Sequence, residues 1–188
     1  MRIALFGGTF DPIHNAHLRI AREAARQFVL DRIWFIPAAR PPHKSGITSA
    51  SYDDRYRMVA LACAGEPLFE ASRIEEGEDK SYSIETIERV RALLGREDEL
   101  YFLIGADAFA DIRTWRRWRE VVASVEFIVV SRPGGHYETP EGAMVHPLEG
   151  VSLPVSSSGI RRRLAAGDDQ VEVPPAVFAY IQAHGLYH

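Results

Sequence analysis

The sequence is short of several features that would classify a chain quickly. It has one cysteine, Cys63, in 188 residues, which excludes an intramolecular disulfide and fits a reducing compartment. No apolar run approaches the ~20 residues that a membrane-spanning helix needs. Met1 runs straight into a strand pattern without the charged and apolar regions of a secretion signal. The expectation is a soluble cytoplasmic protein with no membrane partner. Net charge is −4, so no overall basic field invites nucleic acid. The patterns G-x-x-x-x-G-K-[ST] and G-x-G-x-x-G are both missing, which removes the P-loop and the dinucleotide fingerprint. G-x-S-x-G is also absent, and Cys63 lies inside an amphipathic pattern, so no covalent nucleophile is evident.

What is present reads as one domain over residues 1–188, with an apolar share of 46% and enough chain for a real core. Apolar runs at Ile3–Phe6, Ile33–Ile36, Leu100–Ile104 and Glu126–Val130 predict buried strands. Alternation over Leu68–Ile74 predicts another, and Val151–Val155 a sixth that Pro154 confines to an edge or an end. Helical spacing covers Leu18–Val29, Tyr52–Ala64, a segment capped by Ser83, and one or two short helices within Ala108–Ala123. Two more helices follow, one opening at Ser156-Ser157-Ser158 and one at Pro174-Pro175. Strands alternating with helices predict a doubly wound α/β fold, a mainly parallel sheet covered on both faces. Ligands in such folds sit beyond the carboxyl ends of the strands.

Gly7-Gly8-Thr9-Phe10-Asp11-Pro12-Ile13-His14-Asn15-Ala16-His17 joins the first strand to the first helix. A glycine turn followed by a helix N-terminus places backbone donors and a positive helix end at one spot, a natural anion site. His14 and His17, three apart, can share a face. Ser156-Ser157-Ser158-Gly159-Ile160-Arg161 opens another helix with hydroxyls and a guanidinium, both good phosphate donors. Lys44 adds a charge in the loop after the second strand. Together these suggest a polyphosphate ligand.

Each residue also has a plainer reading. His14 and His17 could share a metal ion, but a third ligand at helical spacing and an H-E-x-x-H are lacking, so no protein metal site is expected. The serines could be only a helix cap, Lys44 a surface lysine, Asp107 an N-cap, and both Trp115 and Trp118 core. Arg162 and Arg163 read as a solvated face.

GGTFDPIHNAH resembles the G-G-x-F-D-P-x-H-x-G-H motif of the nucleotidyltransferase superfamily, and VSSSGIR resembles its I-S-S-T-x-I-R signature. PPHK, SYSIETI, LIGADAF followed by Trp115, and the ending HGLYH resemble one branch, the bacterial nicotinate-mononucleotide adenylyltransferases. Ala16 stands where the motif usually has glycine, and Ser158 where it has threonine. The resemblance implies a Rossmann-like fold and adenylyl transfer from ATP to nicotinate mononucleotide in NAD biosynthesis, with Mg²⁺ carried on the ATP phosphates. It further implies that His14 and His17 contact the ATP phosphates, helped by the backbone of Gly7, Gly8, Thr9 and Phe10. Ser157, Ser158 and Arg161 would hold the outer phosphates, and Lys44 would add charge beside them. Gly105 and Asp107 would face the ribose or base. Trp115 would stack on the pyridine ring, with Thr86 near its carboxylate. The alternatives are a different acceptor, nicotinamide mononucleotide or phosphopantetheine, and a nucleotide-binding sensor without turnover. The sequence does not give the oligomeric state.

Overall fold

A computed structural model of the chain describes residues 1–40, 48–151 and 154–188. Among these residues, six strands form one sheet: β1 (Arg2–Gly8), β2 (Arg32–Pro37), β3 (Phe69–Ala71), β4 (Glu99–Gly105), β5 (Glu126–Val130) and β6 (Val145–Leu148). Their order is β3-β2-β1-β4-β5-β6, and every neighbouring pair is parallel. The connections run outward from β1 through β2 to β3, then return to β4 on the other side of β1. The strand order therefore reverses between β1 and β4, and the crevice beyond that point is where this architecture binds ligands.

The near-continuous apolar strands follow from burial on both faces. Ala4 and Phe6 pack with Phe35 and Leu103 into one core layer, under α1 (Asn15–Phe28), α2 (Tyr52–Cys63), α6 (Ser157–Ala165) and α7 (Pro175–Ala183). Ile3 and Leu5 point the other way, packing with Phe102 and Phe127 beneath α3 (Ser83–Leu93), α4 (Ala106–Ala110) and α5 (Trp118–Ser124).

Three sequence expectations are corrected. The sixth strand is Val145–Leu148 rather than Val151–Val155; it is an edge strand paired to β5 alone, a position that tolerates Pro147. Residues 152 and 153 of the expected strand lie outside the described residues. Ser83 is the first residue of α3 and not its cap, which is Tyr82. Gly7 and Gly8 form no turn: they are the last residues of β1, in register with Ile36 and Pro37. The chain turns after them, at Phe10, whose φ of +50° lies in the left-handed region. Space at Gly8 is tight there: a Cβ would meet the Phe10 ring at 3.0 to 3.3 Å, so the ring would have to shift by a few tenths of an ångström.

Candidate active site

A cavity of about 390 Å³ opens where Phe6, Gly105 and Val130 bring the ends of β1, β4 and β5 together. Its walls hold most of the polar residues picked from the sequence, His14, His17, Asp107, Ser157, Ser158 and Arg161, together with Gly105. Ala16 lies in the wall as well, buried in the first turn of α1.

Both histidines come from the start of α1. His14 is the N-cap and His17 the third helical residue, so the spacing of one turn stacks their rings, with centroids 3.7 Å apart. The backbone N–H of His14 donates to Nδ1 of His17 at 3.2 Å. That bond assigns the neutral ring's proton to Nε2, leaving a donor on the outer edge of the imidazole. Phe10 and Phe6 meet the His17 ring edge-on at 5.0 and 5.9 Å and fix its plane. Burial lowers the His14 pKa to about 4. The His17 pKa is also well below its ordinary value, through burial first and the neighbouring His14 second. Both rings are therefore uncharged at neutral pH. Nδ1 of His14 is buried with no hydrogen-bond partner among the described residues, a group that an incoming ligand could satisfy.

Another part of the wall is the N-terminus of α6. Ser156 is its N-cap and accepts the N–H of Gly159 at 3.1 Å. Ser157 donates its hydroxyl to the Pro12 carbonyl at 2.8 Å, and Arg161 donates Nη1 to the Asp11 carbonyl at 2.8 Å. Two residues of the N-terminal motif thus position the second phosphate-type element from some 145 residues away. Arg161 keeps further guanidinium donors after this bond, and Ser158 is exposed at the helix end.

Other predicted residues lie elsewhere. Gly7, Gly8, Thr9 and Phe10 are not in the cavity wall. Phe10 is core, and the Thr9 carbonyl faces inward to Nη1 of the buried Arg55 at 2.7 Å. Lys44 lies outside the described residues. Thr86 is buried on the α3 side of the sheet and donates its hydroxyl to Glu75 Oε1 at 2.6 Å. Burial raises the pKa of that Glu75 carboxyl. Trp115, half-buried, packs edge-on against Phe102 with centroids 5.9 Å apart. The Phe102 ring in turn lies 3.8 Å from where a Gly7 side chain would begin. Gly7 is exposed and follows Phe6 of the cavity wall. Trp115 itself is not in the cavity wall.

Sequence reasoning missed Arg132, which follows β5 and adds a cation to the wall. The available signal was Ser131-Arg132-Pro133-Gly134, a cation at a strand end just before a turn. It also missed Arg55, and gave no role to Asp11 and Tyr187 although both stand in quoted motifs; all three act through contacts between residues distant in sequence.

Comparison with known proteins agrees with this geometry. The model of the cytidylyltransferase-like family matches residues 5–163. The chain is 60% identical over 188 residues to a Solibacter usitatus protein named "probable nicotinate-nucleotide adenylyltransferase", with both chains covered in full. A Thermus thermophilus protein of the same name is 43% identical over 190 residues, again with full coverage of both. Among solved structures, the Plasmodium falciparum nicotinic acid mononucleotide adenylyltransferase complexed with NaAD has the same fold, with a TM-score of 0.80 at 20% identity, over 99% of this chain and 97% of that one. A motif-bearing helix end, a facing serine–arginine helix end and full-length relatives lead to one assignment: the chain belongs to the cytidylyltransferase-like family, in its nicotinate-nucleotide adenylyltransferase branch.

Proposed function

We propose that the chain transfers the adenylyl group of ATP to nicotinate mononucleotide, giving nicotinate adenine dinucleotide and pyrophosphate. The observation that carries this reading is the cavity at the β1/β4 reversal, where two stacked neutral imidazoles face the hydroxyls and guanidinium of α6. The attacking atom is a phosphate oxygen of the acceptor, anionic at neutral pH, so the step needs no general base. A bond forms from that oxygen to the α-phosphorus as the bond to the bridging oxygen breaks, and pyrophosphate leaves with the electron pair. Catalysis then consists of holding two mutually repelling anions in line and stabilising charge on the leaving group.

In this reading His17 Nε2–H donates to the reacting phosphate and His14 contacts its neighbour. Ser157, Ser158 and Arg161 hold the outer phosphates, with Arg132 as a further cation. Gly105 and Asp107 face the ribose or base. Trp115 stacks on the pyridine ring across Gly7, and Lys44 brings charge to the bound phosphates. Thr86, whose hydroxyl serves Glu75 and whose N–H bonds the Tyr82 carbonyl, would lie near the acceptor carboxylate, with backbone donors beside it making the contact.

The cavity wall offers imidazoles, hydroxyls and guanidinium groups, with Asp107 its one carboxylate among the described residues. This donor set suits Mg²⁺ that arrives on the ATP phosphates rather than on protein ligands. When bound, the ion neutralises phosphate charge. No helix among the described residues is long and apolar enough to cross a membrane, and buried Cys63 has its pKa pushed up to about 12 by burial. The cytoplasm we assign rests on the single cysteine, which leaves no pair to oxidise.

The deciding experiment is pyrophosphate release from Mg·ATP with nicotinate mononucleotide, nicotinamide mononucleotide and phosphopantetheine in parallel. Strong preference for the nicotinate form is expected. Preference for another acceptor would overturn the substrate, and no release with any of them would favour a nucleotide sensor.

A further inference from the structure

Leu186 and Tyr187 have no part in the cavity wall, and both side chains pack against the core layer beneath the C-terminal helix. Val177 and Ile181 already bury α7, and the Tyr180 hydroxyl ties it to Asp54 at 2.8 Å. Yet Tyr187 reaches across 176 residues to donate its hydroxyl to Asp11 Oδ1 at 2.6 Å. It does so from a left-handed backbone conformation, φ +63°, that L residues rarely adopt. The preceding turn is secured by the Leu186 N–H bonding to the Ile181 carbonyl at 3.0 Å.

Asp11 is the centre of a buried cluster, itself 4% exposed. Its Oδ2 accepts the Ser49 N–H at 2.7 Å and its Oδ1 the Ala50 N–H at 3.1 Å. Its own carbonyl receives Arg161 Nη1. The side chain is therefore held from two directions, by the end of the β2–α2 loop and by the tail. With the side chain held, the peptide that presents its oxygen to Arg161 is held too. Burial, and then the bond to Asp11, keep the Tyr187 hydroxyl protonated and so always a donor.

We infer that Tyr187 is a positioning residue of the phosphate site, acting through Asp11 on Arg161. The inference rests on the proposed adenylyl transfer only in taking ATP as the phosphate ligand. The tail then serves ATP binding, and the acceptor's pocket does not depend on it.

Tyr187→Phe keeps the ring and removes the hydroxyl. Titration of the full chain with Mg·ATP alone, together with steady-state kinetics, should show Kd and KM for ATP rising about tenfold, the scale of one hydrogen bond to a charged group. KM for nicotinate mononucleotide should not change. Tyr180→Phe, which removes a hydroxyl bond from the same segment, should leave ATP affinity as it was. In an Arg161→Ala background, Tyr187→Phe should have no additional effect on ATP affinity, because the residue it acts through is gone. Unchanged ATP affinity in Tyr187→Phe, equal losses in both tyrosine variants, or full additivity with Arg161→Ala would each overturn the inference. The cycle compares affinities, so it decides the matter even if Tyr187→Phe lowers Tm. A wild type that binds ATP but transfers nothing would remove the adenylyl-transfer reading, and the ATP titration would still decide this inference. A wild type that does not bind ATP would end both.

Discussion

Thr86 donates its hydroxyl to Glu75 Oε1 at 2.6 Å, and both side chains are buried. The same carboxylate accepts the Ala39 N–H at 3.4 Å, so it links α3 to the exit of β2. A buried carboxylate that loses a donor keeps its desolvation cost without the compensation. Thr86→Val should lower unfolding free energy by ~1–3 kcal/mol, measured by urea denaturation. Thr86→Ser should restore most of it. An unaltered midpoint in Thr86→Val would show that the bond contributes nothing.

His17 presents its Nε2–H because His14 occupies its Nδ1. Removing that donor should cost the transition state more than the ground state. We expect His17→Ala to lower kcat about 10²–10³-fold, the range for one preorganised donor, with KM for both substrates moving far less. Pyrophosphate release under saturating substrates measures this. Near wild-type turnover would remove His17 from the chemistry.

The buried neutral His14 makes stability depend on pH in a defined direction. Its folded pKa, about 4, lies below the unfolded value of ~6.5. Between those values the unfolded chain binds more protons, so stability is complete above the unfolded value and is lost as pH falls towards 4. Glu75, with its raised pKa, works in the opposite sense, so the comparison must be between variants. His14→Asn should remove ~3 kcal/mol of the stability lost between neutral pH and pH 4. Parallel stability curves for the two proteins would contradict the assignment.

Arg55 is 1% exposed and donates to three carbonyls, Thr9 at 2.7 Å, Ala38 at 2.8 Å and Ala39 at 3.4 Å. It binds the exits of β1 and β2 to α2. Arg55→Met fills the volume but leaves those carbonyls, and the carboxylate of Asp11 nearby, without their cation. A loss of ~3–5 kcal/mol is expected, as for other broken buried charge clusters. Arg55→Lys, which lacks the planar fork, should recover only part of it. Thermal denaturation of the three proteins would show the ranking.

These cases mark how far the sequence could be read. The strands were legible because burial on both faces leaves apolar runs. Val145–Leu148 was not, since Val-His-Pro-Leu has neither a run nor an alternation and is a strand only by pairing with β5. The helix ends that line the cavity were legible from residue type, histidine at one and serine with arginine at the other. Thr86 was placed in the right segment, but its hydroxyl is taken by a glutamate eleven residues upstream. Asp11 and Tyr187 stood inside motifs but, like Arg55, showed no role, because their partners lie 38 to 176, 176 and 16 to 46 positions away respectively.

The long reach of the Pro12–Ser157 and Asp11–Arg161 bonds, 145 and 150 residues, also bears on how the molecule comes into being. A ribosome that has released the first 150 residues has made the six strands described and both His14 and His17, but not the α6 part of the cavity wall. Nucleotide cannot be clamped until α6 has emerged and docked. A growing chain can thus gain a nearly complete sheet while remaining unable to hold the substrate, and competence arrives late.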